Sequence, residues 1–304
     1  MKAAAITATP VSHASPQSWP ALFILLWSSG YVAGKIALPY AGPLTLIFLR
    51  FGVAALVLLL MAVLTRAPWP KDWASVRHLA VVGLLIQALQ FSGLYLGLSW
   101  GVSAGIAALI VGLMPVLTAA GAAMFLNERI SRQQLGGLML GLLGVGIVVA
   151  HKVGAGQAPW LGYLALGAAL LGITAGTLLQ KKYCAGMDLR TGGFIQLCSA
   201  TLVVGPAAWL LERLQLTWTW QLVGASLWLS LVNSIGAISV LFIMMRRGQA
   251  SQVASLFYLV PGVTALMGYL LLHETLNATQ LLGFLVSAGG VYLTTAASRF
   301  SQRC

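Results

Sequence analysis

Long apolar runs, each closed by a turn residue or a charge, follow one another along this chain from residue 20 to residue 297. Ten of them have the length of a bilayer-crossing helix: 20–38, 43–64, 79–99, 102–125, 134–151, 160–181, 192–211, 222–244, 252–272 and 279–297. About 20 apolar residues cover a hydrocarbon core roughly 30 Å thick. None of the runs alternates as a barrel strand must, and backbone groups in lipid have to be satisfied within their own segment. The pattern therefore predicts an all-α integral membrane protein with ten transmembrane helices.

The pattern also repeats. LMPVLTAAGAAMFLNERI (Leu113 to Ile130) slides without a gap onto LVPGVTALMGYLLLHETL (Leu259 to Leu276) at an offset of 146, pairing Pro115 with Pro261, Thr118 with Thr264 and Glu128 with Glu274. At the same offset Gln134, Gly137 and Gly144 meet Gln280, Gly283 and Gly290, and Gln87 meets Asn233. Gly30 and Gly34 meet Gly172 and Gly176 at a slightly different one. Five spans' worth of chain separates the copies, so the second crosses the bilayer in the opposite direction. An inverted 5+5 repeat of this kind is the signature of secondary transporters. The division it predicts is a disordered cytoplasmic tail (1–19), a first five-helix repeat (20–151), a second (152–298) and a short cytoplasmic tail (299–304).

Composition agrees with a life in lipid: 59% of the 304 residues are apolar and 7% charged, against about 25% charged in a soluble domain. The net charge of +12 comes from short basic clusters between spans, with no dense patch interleaved with aromatics, so a nucleic-acid partner is not expected. With the N-terminus inside, 13 Lys and Arg fall in inside segments, against Lys152 and Arg213 outside and Lys35 and Arg50 within spans. That bias orients both termini to the cytoplasm, in what would be a bacterial inner (plasma) membrane. Trp19, Trp69, Trp73, Trp100, Trp160, Trp218 and Trp220 cluster near span ends, as interface anchors do. Three scattered cysteines make no disulfide framework, and the lone His273 in HET has no second histidine for a zinc motif, so no metal and no cofactor is expected.

WSSGYVAGKIAL with the following PLTLIFLRF, the two Pro-x-x-Thr…Leu-x-Glu segments, and QQLGGLMLGLLGVGIVV with TQLLGFLVSAGGVYL together resemble the EamA type of the drug/metabolite transporter superfamily. The likeness runs from Trp19 to Ala297. It implies a ten-helix carrier, similar to bacterial exporters of amino acids and related metabolites. It also implies a central cavity lined chiefly by the first, third, fourth, sixth, eighth and ninth helices.

Polar groups at mid-depth are the natural solute contacts. Gln87, Phe91 and Tyr95 recur every four residues on one face of the third span, with Gln90 beside them. Two amides and two aromatics can hold an amino-acid-like solute; bonding between helices is the plainer use of the same groups. Asn233 and Ser234 take the matching place on the eighth span, Trp27, Ser28 and Tyr31 lie near mid-depth in the first, and Ser255 and Tyr258 flank the bend of the ninth. Pro115 and Pro261 free carbonyls one turn earlier and are candidate hinges.

Lys35 and Arg50 have no carboxylate within a span to pair with, and are candidate anion contacts. The resemblance implies basic residues here whatever the solute, so a structural part for them stands alongside. Glu128 and Glu274, each at a helix end, suit the N-terminus of the helix that follows.

No Asp or Glu lies within a span and the histidines fall at or outside span ends, which disfavours proton-coupled antiport and leaves exchange or diffusion down the solute's own gradient. The spans also lack the paired carboxylates, Ser–His arrangement or metal ligands of an intramembrane enzyme. The expected partners are a small-molecule substrate and the lipid bilayer, for a monomer or homodimer. The rival to an amino-acid exporter is a carrier of anionic metabolites such as phosphorylated sugars, using Lys35 and Arg50. A non-transporting scaffold comes behind both.

Overall fold

The computed structural model describes residues 18–126, 132–154, 159–184, 186–240 and 259–301. Its helices are α1 (Ser18–Ala37), α2 (Pro43–Leu64), α3 (Trp73–Ser99), α4 (in two pieces, Ala104–Val111 and Met114–Leu126) and α5 (Arg132–Gly154). Then follow α6 (Trp160–Tyr183), α7 (Leu189–Glu212), α8 (Trp220–Val240), α9 (Val260–Leu272) and α10 (Ala278–Ser301). Six of them, α1, α2, α3, α6, α7 and α8, are long and apolar enough to cross a membrane; shorter apolar stretches run through α4, α5, α9 and α10. Leu56, Leu64, Leu171, Leu202 and Leu285 stand fully outward, as only a lipid-facing surface tolerates on this scale.

Short polar residues start the helices. Asp72 accepts from Ser75 N–H at α3, Asp188 from Arg190 and Thr191 N–H at α7, and Thr219 from Leu222 N–H at α8. Asn277 and Gln280 exchange backbone-to-side-chain bonds of 2.9 Å each at α10, a reciprocal cap. That corrects one expectation. Glu274 does not cap the helix that follows it, because Asn277 already does; Glu128 lies outside the described residues.

The start of α2 is capped from a distance. Glu212, at the end of α7, accepts from Leu44 N–H (2.9 Å), Thr45 N–H (2.8 Å) and the Thr45 hydroxyl (2.7 Å). A carboxylate also suits the positive end of the helix dipole. Gly42 leaves it room, since a Cβ there would lie 2.2 Å from Oε2. Glu212→Ala should cost about 1–2 kcal/mol, the usual worth of a lost cap. It should lower the melting temperature in detergent, and an unchanged melt would show that the cap contributes nothing.

The helices pack as two related sets. α1 lies on α8 and α9, α6 on α3 and α4, α2 against α7, and α5 against α10. The α5–α10 seam shows the relation atom by atom. A Cβ on Gly144 would fall 2.6 Å from Ser287 N and 2.7 Å from Gly283 O; one on Gly290 would fall 2.4 Å from Gly141 N and 2.6 Å from Gly137 O. The Ser287 hydroxyl donates to Gly141 O at 3.2 Å. Gly137, Gly141 and Gly144 match Gly283, Ser287 and Gly290 at the offset of 146, so the two helices cross antiparallel about a local two-fold axis. Small residues allow that close approach.

Two faces emerge from the connections. On one, Thr191 donates to Pro68 O and Arg190 to Thr65 Oγ1; this is the basic face. On the far face Thr217 N–H donates to Tyr40 O at 2.7 Å. There too Glu274 pairs with Lys35 and accepts from Ala104 N–H, the first amide of α4, at 3.1 Å. Lys35 thus has a carboxylate partner after all, brought from the end of α9.

The fourth span is not continuous. Its first piece ends at Val111, where Pro115 predicts weakening, and a turn at Gly112–Leu113 precedes the second. Pro261 sits in the first turn of α9, and a Cβ on Gly112 would lie 3.1 Å from its ring. The break in α4 therefore lies against the first turn of α9.

Candidate solute site

Gln87 lies in a π-helical turn, Leu84–Leu89, within α3, and Asn233 in another, Trp228–Ala237, within α8. A wide turn of this type is rare and recurs at functional sites. Neither turn contains proline, so nothing in the apolar pattern announces it. Both fall at matching places in the two halves, and both present an amide inward.

Between them is a cavity of about 60 Å³, lined by Trp27, Tyr31, Arg50, Gln87, Gln90, Phe91 and Asn233 among others. Seven of the sequence-selected residues therefore meet. Tyr95 lies just behind, fully buried. Ser234 touches the cavity through Arg50, whereas Ser28 turns away to the Val260 carbonyl at 3.5 Å. Lys35 stands apart on the far face, and Ser255 and Tyr258 lie outside the described residues. Ile86, Leu94, Ile173 and Ile238 complete the apolar lining; as single aliphatic residues in apolar runs they carry no sequence signal.

Arg50 is the centre of the site. It is 4% exposed, donates from Nε to Ser234 Oγ at 2.9 Å and from Nη1 to Tyr95 Oη at 2.8 Å, and lies 4.2 Å over the Phe91 ring. The Ser234 hydroxyl donates onward to Leu229 O at 3.0 Å, so its lone pairs face the guanidinium. Those contacts span α2, α3 and α8, and hence both halves. A desolvated cation–π contact is worth about 2 kcal/mol, which offsets only part of the cost of burying the charge. No carboxylate among the described residues pairs with Arg50, and its Nη2 has no acceptor among them.

Asn233 is held by α1. Its Nδ2 donates to Leu26 O at 2.7 Å, across the gap left by Gly30, where a Cβ would lie 2.6 Å from that nitrogen. Its Oδ1 is buried without a hydrogen-bond partner among the described residues. Trp228, which no spacing argument selected, donates to Ser29 Oγ at 2.8 Å and ties α8 to α1. Gly34 gives Tyr95 its place, since a Cβ there would meet the ring at 2.3 Å.

Gln87 and Ile238 are shared with a second cavity of about 290 Å³, lined also by Ser234, that runs between α2, α7 and α8 to the basic face. Leu58, Met61 and Ile235 wall it, and Asp188 and Arg190 stand at its mouth. Arg190 donates to both carboxylate oxygens of Asp188, at 3.1 and 2.7 Å, and holds that carboxyl down to about 2 from the usual 3.8. The mouth therefore carries a fixed ion pair at neutral pH. The Lys35–Glu274–Ala104 cluster stands on the opposite face.

The EamA-like transporter family is matched twice along this chain, over residues 17–150 and 160–296. A Salmonella typhimurium protein named "Probable amino-acid metabolite efflux pump" is 25% identical over 91% of this chain and 94% of its own length. The Escherichia coli protein of the same name is 25% identical over 92% and 95%, and the Bacillus subtilis "Uncharacterized transporter YvbV" 27% identical over 92% and 91%. A solved crystal structure shares the fold at TM-score 0.65 and 20% identity, over 92% of this chain and 96% of that one.

Proposed function

The chain belongs to the EamA-like transporter family, a multi-pass membrane transporter of small molecules, and from that premise we infer that it exports an amino acid or a related metabolite. The solute occupies the central cavity between two inverted five-helix repeats, 20–151 and 152–298, and is exposed alternately to each side. The chain crosses a bacterial plasma membrane ten times with both termini cytoplasmic, following its asymmetry of Lys and Arg. Export runs down the solute's own gradient or by exchange. Pro115 and Pro261 are the hinges about which α4 and α9 move.

One observation carries this reading: the two halves supply Gln87 and Asn233 from matching π turns to a single buried cavity. The relatives named as amino-acid metabolite efflux pumps support the solute class. The test is reconstitution into liposomes with a counterflow screen of labelled amino acids, nucleosides and sugar phosphates. Gln87→Ala and Asn233→Ala should each slow the carried solute about tenfold, the loss of roughly 1.4 kcal/mol of binding. Rates left intact for every carried solute would remove this cavity from the transport path.

A further inference from the structure

We propose that the central cavity is a zwitterion site, with Arg50 taking the carboxylate of an amino acid and the Asn233 amide oxygen its ammonium. The apolar side chain then lies in the adjoining space. The proposal rests on the transport reading above and deepens it.

Two unmet needs among the residues that line one small cavity carry the argument. Arg50 is a buried cation whose Nε and Nη1 are aimed by Ser234 and Tyr95, with Nη2 left over among the described residues. A guanidinium so fixed suits a planar carboxylate. Asn233 is 6% exposed and lines the same cavity. Its nitrogen faces the Leu26 carbonyl, which can only accept, so the amide cannot be turned round and Oδ1 is the group without a partner among the described residues. A buried acceptor that the protein leaves unmet is a place for a ligand's N–H.

Size separates head from tail. The 60 Å³ space suits a head group, and the 290 Å³ space beyond Gln87 is walled by Leu58, Met61, Ile235 and Ile238. A phosphate dianion fits less well. Lys35 is already matched by Glu274, which leaves one guanidinium facing the cavity among the described residues, and the orphan Asn233 oxygen repels a second negative charge.

The experiment compares analogues in proteoliposomes. The best-carried labelled amino acid is competed with its carboxamide, which lacks the negative charge, and with its des-amino acid, which lacks the ammonium. Wild-type protein should prefer the parent over each by at least about tenfold. Arg50→Gln should erase the preference over the carboxamide and keep that over the des-amino acid; Asn233→Leu should do the reverse. Tyr95→Phe keeps the charge and loosens its aim, and should shrink the carboxamide preference severalfold even if Arg50→Gln fails to fold. Preferences indifferent to all three substitutions would overturn the proposal, as would a sugar phosphate carried best. Absence of any counterflow would instead remove the transport reading beneath it.

Discussion

Gly290→Ala should lower the melting temperature in detergent by roughly 10 °C, while Gly289→Ala, one residue earlier on the same helix, should leave it unchanged. A Cβ on Gly290 lands 2.4 Å from Gly141 N and 2.6 Å from Gly137 O, both backbone atoms that cannot swing aside. A Cβ on Gly289 meets nothing closer than the end of Leu140, at 3.8 Å. Overpacking a tight contact costs about 1–3 kcal/mol when side chains can yield, and more when they cannot. Each kcal/mol is worth about 2–4 °C in a chain of somewhat smaller size. Gly290→Val should go further and prevent recovery of monodisperse protein. Fluorescence-detected thermal unfolding decides the matter. Equal melting of the two alanine variants would mean that α5 and α10 do not cross at these glycines.

The second large effect is expected at the far face. Glu274 accepts from Lys35 and from the first amide of α4, so Glu274→Ala strands both donors. The Lys35 and Glu274 side chains are 27% and 12% exposed, between a surface pair worth at most about 1 kcal/mol and a buried one whose breaking costs about 3–5. A loss of about 2 kcal/mol should weaken the join of α1, α4 and α9 on that face. Ser103→Cys would then react severalfold faster with a membrane-impermeant thiol reagent added from that side, and counterflow would slow. Exchanging the two charges, Lys35→Glu with Glu274→Lys, should rescue only in part, because the Ala104 N–H would then face an ammonium. Full rescue would show that the ion pair alone closes the face.

Much of this architecture is written in the chain because the bilayer leaves few solutions. Span length, helical type and the offset of 146 follow from hydrocarbon thickness and from repetition, and Pro115 marks the break at Gly112–Leu113. The face Gln87–Phe91–Tyr95 is a local pattern and can be read as one. Arg50 is different: its bonds reach Tyr95 and Ser234 on two other helices, and no spacing encodes a contact made across three spans. The π turns are likewise silent, since they arise from which carbonyl each N–H chooses and not from residue type. Lys35 and Glu274 lie 239 residues apart, yet both end spans that finish on one side of the membrane. Topology counting, carried one step further, would have paired them.

Arg50 also has a counterpart, and it is not a cation. At the offset that joins Thr45 to Thr191 and Phe48 to Phe194, Arg50 falls on Gln196, whose amide is spent on Gln180 at 2.8 Å. A binding chamber with equal halves would accept its passenger in two upside-down poses of the same energy. With one guanidinium, off the axis, that degeneracy is gone. The carrier should hold a single passenger per cycle, always the same way round, whichever door is open.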